Sequence, residues 1–193
     1  FPPTLADTGV FRDTALLEAN HGVVPYDVNV SFWSDHAIKQ RWFSIPQASL
    51  RFGFNEAGHW HSPTGAVWIK HFELELVEGD PSSRKRLETR LLVRDAESVY
   101  GMTYRWGDST SNATLVPDEG MDEEFEIRDL EGNLLRTQTW RYPARTECMA
   151  CHTKAAGYVL GFNTTQLNKL YDYGAGPENQ ISALKRVGYL TGG

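Results

Sequence analysis

Cys148, Cys151 and His152 are the residues whose types and spacing point most directly to chemistry; they fall in Glu147-Cys148-Met149-Ala150-Cys151-His152 and include the only two cysteines of the chain. C-x-x-C-H is the pattern of covalent haem attachment. Two residues between the cysteines let both thiols reach the vinyl groups on one side of a porphyrin. The histidine that follows is then held under the iron as an axial ligand. With two Cys and six His among 193 residues, chance gives this pattern on the order of once in 3,000. Three other readings carry less. A thioredoxin-type redox pair lacks its β-α-β context. A structural zinc site needs four ligands, and no second cysteine pair exists. Two inert buried thiols leave His152 unexplained. One covalent haem c per chain is therefore expected, with a periplasmic or extracellular location, because thioether formation takes place outside the cytoplasm. The lack of any further cysteine agrees with an oxidising compartment.

A sixth ligand must come from elsewhere, since the 41 residues after His152 contain neither Met nor His. Residues 66–76 read as a strand whose alternation puts Ala66, Trp68, Lys70, Phe72, Leu74 and Leu76 on one face. Lys70 is the one polar member, a buried amine between aromatic neighbours. Such a lysine needs a partner or loses its proton. As a neutral amine it can ligate iron; charged, it can pair with a haem propionate; a snorkelling lysine is the bland alternative. His71 is the second candidate, although its own face continues into Glu73 and Glu75, which favours a solvated or Glu-paired ring. Met102, among Tyr100, Tyr104 and Trp106, reads mainly as core filling. For the propionates, Arg141 and Arg145 near the motif, with Arg105, are the natural partners. His59 and His61 share a spacing that can hold Cu or Zn, without a supporting ligand.

These residues need a framework, and the sequence predicts one of the α+β class that changes texture near residue 143. Before it, alternation and turn residues predict strands at 50–54, 66–77, 86–94, 98–106, 125–130 and 134–142. Glu131-Gly132-Asn133 reads as a hairpin turn, and Asp80-Pro81-Ser82-Ser83 joins another antiparallel pair. Short helices are expected at 13–18 and after Ser34. After residue 143 the chain reads as helical. Pro143 and Thr146 open the helix with the cysteines, Asn163 or Thr164 caps 165–173, and Pro177 starts 178–187, with Gly188 ending it. The expectation is one domain, 1–193: a largely antiparallel β portion (1–143) and a short helical C-terminal portion (144–193) carrying the motif. This is not the all-α cytochrome c fold.

Composition excludes other classes. Hydrophobic residues at 40% and charged residues at 23% describe a globular domain. The net charge of −6, with Arg84-Lys85-Arg86 the one basic run, argues against nucleic acid. The charges of that alternating segment are expected to face water. No apolar run approaches a membrane span. The chain opens at Phe1-Pro2-Pro3 and ends at Gly192-Gly193, which reads as a mature or excised piece.

Several segments together resemble a c-type cytochrome module of secreted bacterial redox proteins, found beside carbohydrate-binding modules or PQQ-dependent sugar-dehydrogenase-like modules. They are Val23-Val24-Pro25-Tyr26-Asp27-Val28-Asn29, Phe32-Trp33-Ser34-Asp35, Gly65-Ala66-Val67-Trp68-Ile69-Lys70, Arg86-Leu87-Glu88-Thr89-Arg90, Tyr104-Arg105-Trp106, Thr139-Trp140-Arg141-Tyr142-Pro143 with the C-x-x-C-H, and Gly161-Phe162-Asn163-Thr164-Thr165-Gln166-Leu167-Asn168. The likeness spans nearly the whole chain. It implies one-electron transfer linked to oxidation of sugars or polysaccharides, a redox partner protein, and carbohydrate-binding modules in the same polypeptide. It also favours Lys70 over His71 as ligand, because the lysine recurs in the pattern while the next position varies. His36 departs from the pattern, which usually has glycine there. A haem peroxidase or gas sensor with an open sixth site is the first alternative. The second is a carbohydrate-binding module with a structural haem.

Overall fold

The computed structural model describes residues 1–191; the last two residues of the predicted domain, Gly192 and Gly193, lie outside the described residues. The chain folds mainly as antiparallel β-structure with a few short helices. In chain order the first strands are β1 (Phe11–Asp13), β2 (Glu18–Ala19), β3 (Val23–Pro25), β4 (Ile38–Ser44), β5 (Phe52–Gly53) and β6 (Val67–Glu75). Then come β7 (Arg84–Arg94), β8 (Val99–Arg105), β9 (Thr114–Leu115), β10 (Met121–Arg128) and β11 (Leu134–Tyr142). Helix α1 (Arg145–Cys151) follows, then α2 (Thr164–Leu167), β12 (Leu170–Asp172), β13 (Pro177–Asn179), α3 (Gln180–Arg186) and β14 (Leu190–Thr191). Among the described residues no helix is long and apolar enough to cross a membrane.

A six-stranded sheet of order β3-β4-β6-β7-β8-β9 is the frame, and each neighbouring pair is antiparallel. Its strands are those with alternating apolar residues, and β6 and β7 join through the Asp80 turn as expected, Asp80 accepting from the Ser82 amide at 2.9 Å. Period-2 alternation gives the sheet two faces. On one, Trp42, Ile69, Leu91, Met102, Tyr104 and Trp106 pack under the N-terminal segment through Leu5, Val10 and Phe11. The other face carries two separate clusters. Phe43, Trp68 and Leu92 meet Phe52, Phe162, Leu167, Ile181 and Leu184 from the loops and the C-terminal segment. Phe72 and Leu74 meet Phe125, Ile127, Trp140 and Tyr142 of the β10–β11 hairpin. Lys70 stands between the two clusters, at the join.

Several expected helices are not formed. Residues 13–18 form the turn of the β1–β2 hairpin. After Ser34 the chain makes a tight turn, Ala37 N–H donating to the Ser34 carbonyl at 2.8 Å. Asp35 and His36 there take positive φ angles of 43° and 64°, which a helix cannot contain. The helix at 165–173 stops after one turn, since Asn163 caps only Thr164–Leu167 and the chain then turns into the β12–β13 hairpin. Residues 178–179 are strand, and Asn179 instead caps α3 by accepting from the amides of Ile181 and Ser182. Gly188, at φ 84°, ends that helix as expected.

Candidate functional site

Helix α1 begins where the β11 strand ends. Its N-terminus is set by Glu147, whose carboxylate accepts from the Ala144 amide at 2.5 Å and holds Arg141 at 3.0 Å. Cys148 is half-buried and Cys151 exposed, one turn apart on the helix. Cys148 lies against β8 where Gly101 has no side chain: a Cβ there would stand 2.6 Å from its Sγ and 3.0 Å from its Cβ. Gly101→Ala is therefore expected to push α1 off the sheet at a cost of about 1–3 kcal/mol. A fall in the urea midpoint with an unchanged slope is the measurement.

His152 caps α1, and its orientation is set by the loop that follows. Its Nδ1 is 2.6 Å from the Tyr158 carbonyl, a pairing in which Nδ1–H donates and Nε2 keeps its lone pair. Tyr158 offers that carbonyl from a left-handed conformation, φ 64°, which costs a non-glycine residue on the order of 1 kcal/mol. The conformation is held by the Tyr158 hydroxyl donating to the Glu97 carbonyl at 2.6 Å and by Arg94 stacked 4.5 Å over the ring. Burial pushes the His152 imidazole below its ordinary pKa, and the charges of Lys70 and Arg90 lower it further. The neutral form of the ring, with a lone pair on Nε2, is thus favoured.

Lys70 lies on the sheet face that α1 packs against. Its amine stands 4.9 Å from the Phe72 ring centroid and 5.9 Å from that of Phe32, and makes no hydrogen bond or ion pair among the described residues. Burial brings its pKa down to about 7, with Arg41, Arg90 and Lys39 adding repulsion. The strand-face reading of a buried amine between aromatics matches this placement.

His71 points to the other face. It is fully buried, Nδ1 lies 2.8 Å from Thr89 Oγ1, and its ring packs edge-on against Trp106 at 5.6 Å. Nε2 is 3.4 Å from Glu73 Oε1, an ion-pair distance without hydrogen-bond alignment. The partner is the glutamate the sequence suggested, but the ring is in the core rather than in water. Met102 fills the same core, accepting from the Tyr104 hydroxyl at 3.7 Å. Arg141 is held by Glu147 and Asp122, and Arg145 by Asp118 at 2.6 Å. Lys70 feels the charges of Arg41, Arg90, Lys39 and Glu88, and His152 those of Lys70 and Arg90; Arg141 and Arg145 are not among them. Arg105 is paired bidentately with Glu123 at 2.7 and 2.8 Å. His59 and His61 are exposed and line a cleft with Arg94 and Lys154, whose charges oppose a metal cation. Among the described residues no group of three or more His, Cys, Asp or Glu could hold a metal.

Two residues of this site were missed by the sequence: Arg41 of β4 and Arg90 of β7 flank Lys70 directly, being its register partners on either side. The site thus offers two thiols on one helix, a neutral imidazole nitrogen and a desolvated amine, all on one side of the sheet. Of the exposed large apolar residues, Phe32 lies beside the Lys70 amine. Comparison with protein families, curated proteins and solved structures gives no match to this chain.

Proposed function

We propose that this chain is a mono-haem c-type cytochrome domain that transfers single electrons. The observation that carries the reading is the pairing of His152, its Nδ1 committed to the Tyr158 carbonyl, with a partnerless Lys70 amine on the same sheet face. When bound, haem supplies the one-electron Fe(III)/Fe(II) couple. Cys148 and Cys151 would hold it by thioethers, each S–H adding across a vinyl group, and His152 Nε2 and Lys70 Nζ would supply nitrogen donors to its iron. Two such donors would leave no position for small molecules, which suits electron transfer rather than catalysis.

The fit has a further support. Trp68, on the Lys70 face and 4% exposed, has an indole N–H without a partner, whereas Trp60, Trp106 and Trp140 each donate to an oxygen. An orphaned buried donor beside the site is what a bound polar group would satisfy. Phe32 and Phe72, whose rings flank the Lys70 amine, give apolar surface there for a macrocycle. The protein works outside the cytoplasm, in the periplasm or beyond the cell. There it passes electrons between a partner oxidoreductase and an acceptor, in oxidation of sugars or polysaccharides, with carbohydrate-binding modules in the same polypeptide. The sequence resemblance supports this wider role.

The test is to express the chain with a periplasmic cytochrome maturation system. Haem is expected to stay with the polypeptide after denaturation, one per chain, and to be lost from Cys148→Ser/Cys151→Ser. A haem-free product under those conditions refutes the reading. A haem-loaded protein that is high-spin and binds CO would instead indicate a peroxidase or gas sensor.

A further inference from the structure

We propose that Arg90, with Arg41 beside it, is the seat for the propionate carboxylates of the haem; this rests on the covalent-haem reading above. Register pairing places Arg41, Lys70, Arg90 and Thr103 in one row across β4, β6, β7 and β8. The next row on the same face is Lys39, Phe72, Glu88 and Arg105. Two adjacent rows therefore hold five basic residues and one acidic residue, in the strip between two apolar clusters. Buried charge of one sign is costly without a counter-charge. Glu123 answers Arg105, while Arg41 reaches Ser31 Oγ at 2.8 Å and Asp27 only at 3.7 Å.

Arg90 is the best placed of the set. Glu88, fully buried, accepts from its Nε at 2.9 Å and its Nη2 at 2.5 Å, and is itself fixed by the Trp140 indole N–H at 3.0 Å. The guanidinium is thus locked in place with Nη1 unpaired among the described residues, and the side chain keeps 35% of its exposure. A planar fork of this kind suits a second carboxylate. The other side of the site sets the reach. Gly101, against which Cys148 packs, pairs with Leu92, and the neighbouring pair on this face is Thr103 with Arg90. The backbone row under Cys148 and the row of Arg90 are roughly 7 Å apart along the strand; Arg94, one row away on the other side, spends its Nη1 on the Asp95 and Ser98 carbonyls at 2.9 and 2.6 Å. A carboxylate-bearing macrocycle anchored at Cys148 would meet Arg90, with its free Nη1, one row away, and Arg41 in the same row two strands further across the sheet. Arg141 lies between Glu147 and Asp122 at the mouth of α1, and Arg145 pairs with Asp118 through Nη2, its buried Nε having no partner among the described residues.

The test is the reduction potential of the haem-loaded protein between pH 5 and pH 8. Removing the pair together, Glu88→Gln/Arg90→Gln, keeps the net charge and leaves no buried charge alone. A propionate that has lost its cation takes up a proton in this range. The redox equilibrium constant is then expected to shift about fivefold across it, beyond any shift in the wild type. Arg128→Gln, on the far hairpin, is expected to follow the wild type. If the double variant does not fold, Arg90→Lys carries the same measurement, because it keeps the charge facing Glu88 but not the fork. A potential as independent of pH as the wild type's overturns the proposal, as does a new slope in Arg141→Gln or Arg145→Gln alone. A chain that never acquires haem fails the functional reading itself, which the haem content reports separately.

Discussion

Lys70→Ala in the haem-loaded protein is expected to turn a low-spin visible and EPR spectrum high-spin and to let the reduced form bind CO, with haem content unchanged. On the proposed reading the amine it removes, which has no hydrogen-bond or ion-pair partner among the described residues, is the second nitrogen donor, and Ala could not replace it. His71→Ala separates ligation from packing. Its ring is fully buried on the opposite face, so its loss is expected to cost about 3 kcal/mol, or about 6–12 °C in Tm, with the spectrum still low-spin. A wild type already high-spin, or a His71→Ala protein that alone changes spin state, would remove Lys70 from the axial position.

Glu88→Gln is expected to lower stability by about 2–3 kcal/mol while the double variant with Arg90→Gln recovers most of it. Breaking a buried pair leaves its partner's charge uncompensated, which in a fully buried site costs roughly 3–5 kcal/mol. Arg90 keeps 35% of its side-chain exposure and can draw on solvent, so the lower value applies. Deleting both charges avoids the penalty, which is why the pair behaves as one unit. Urea denaturation of the three variants at fixed ionic strength checks this. Equal losses for the single and the double would mean that Glu88 acts by packing and not by charge.

The long strands were legible because their alternation is plain: β6, β7, β8 and β11 lie within a few residues of the expected bounds. Strand β4 was not, and the reason is chemical. Its two faces carry Lys39, Arg41 and Phe43 on one side and Ile38, Gln40, Trp42 and Ser44 on the other, so neither reads as apolar. The cations that build the site are what hid the strand. The same holds for β7, where a charge at every second position suggested water but Glu88 is fully buried and Arg90 turns toward Lys70. Register, not residue type, decides that, and register was not readable. The short helices failed for local reasons, namely left-handed residues after Ser34 and an Asn163 cap followed by a β-hairpin. The candidate thiols and His152 come from the motif, and the desolvation of Lys70 from its strand face. The placement of Cys148 against β8 and the orientation of the His152 ring depend on Gly101 and Tyr158, which carry no signal in sequence alone.

Lys70 sits in the middle of β6, laddered to β4 on one side and β7 on the other. A ligand carried by a loop can swing away when the iron changes charge, as its backbone has somewhere to go. A ligand rooted in a central strand has only its four methylenes to move. With haem held as proposed, oxidation and reduction would proceed with little nuclear rearrangement at Lys70. The sheet would make the domain stiff at the one point where stiffness speeds the transfer.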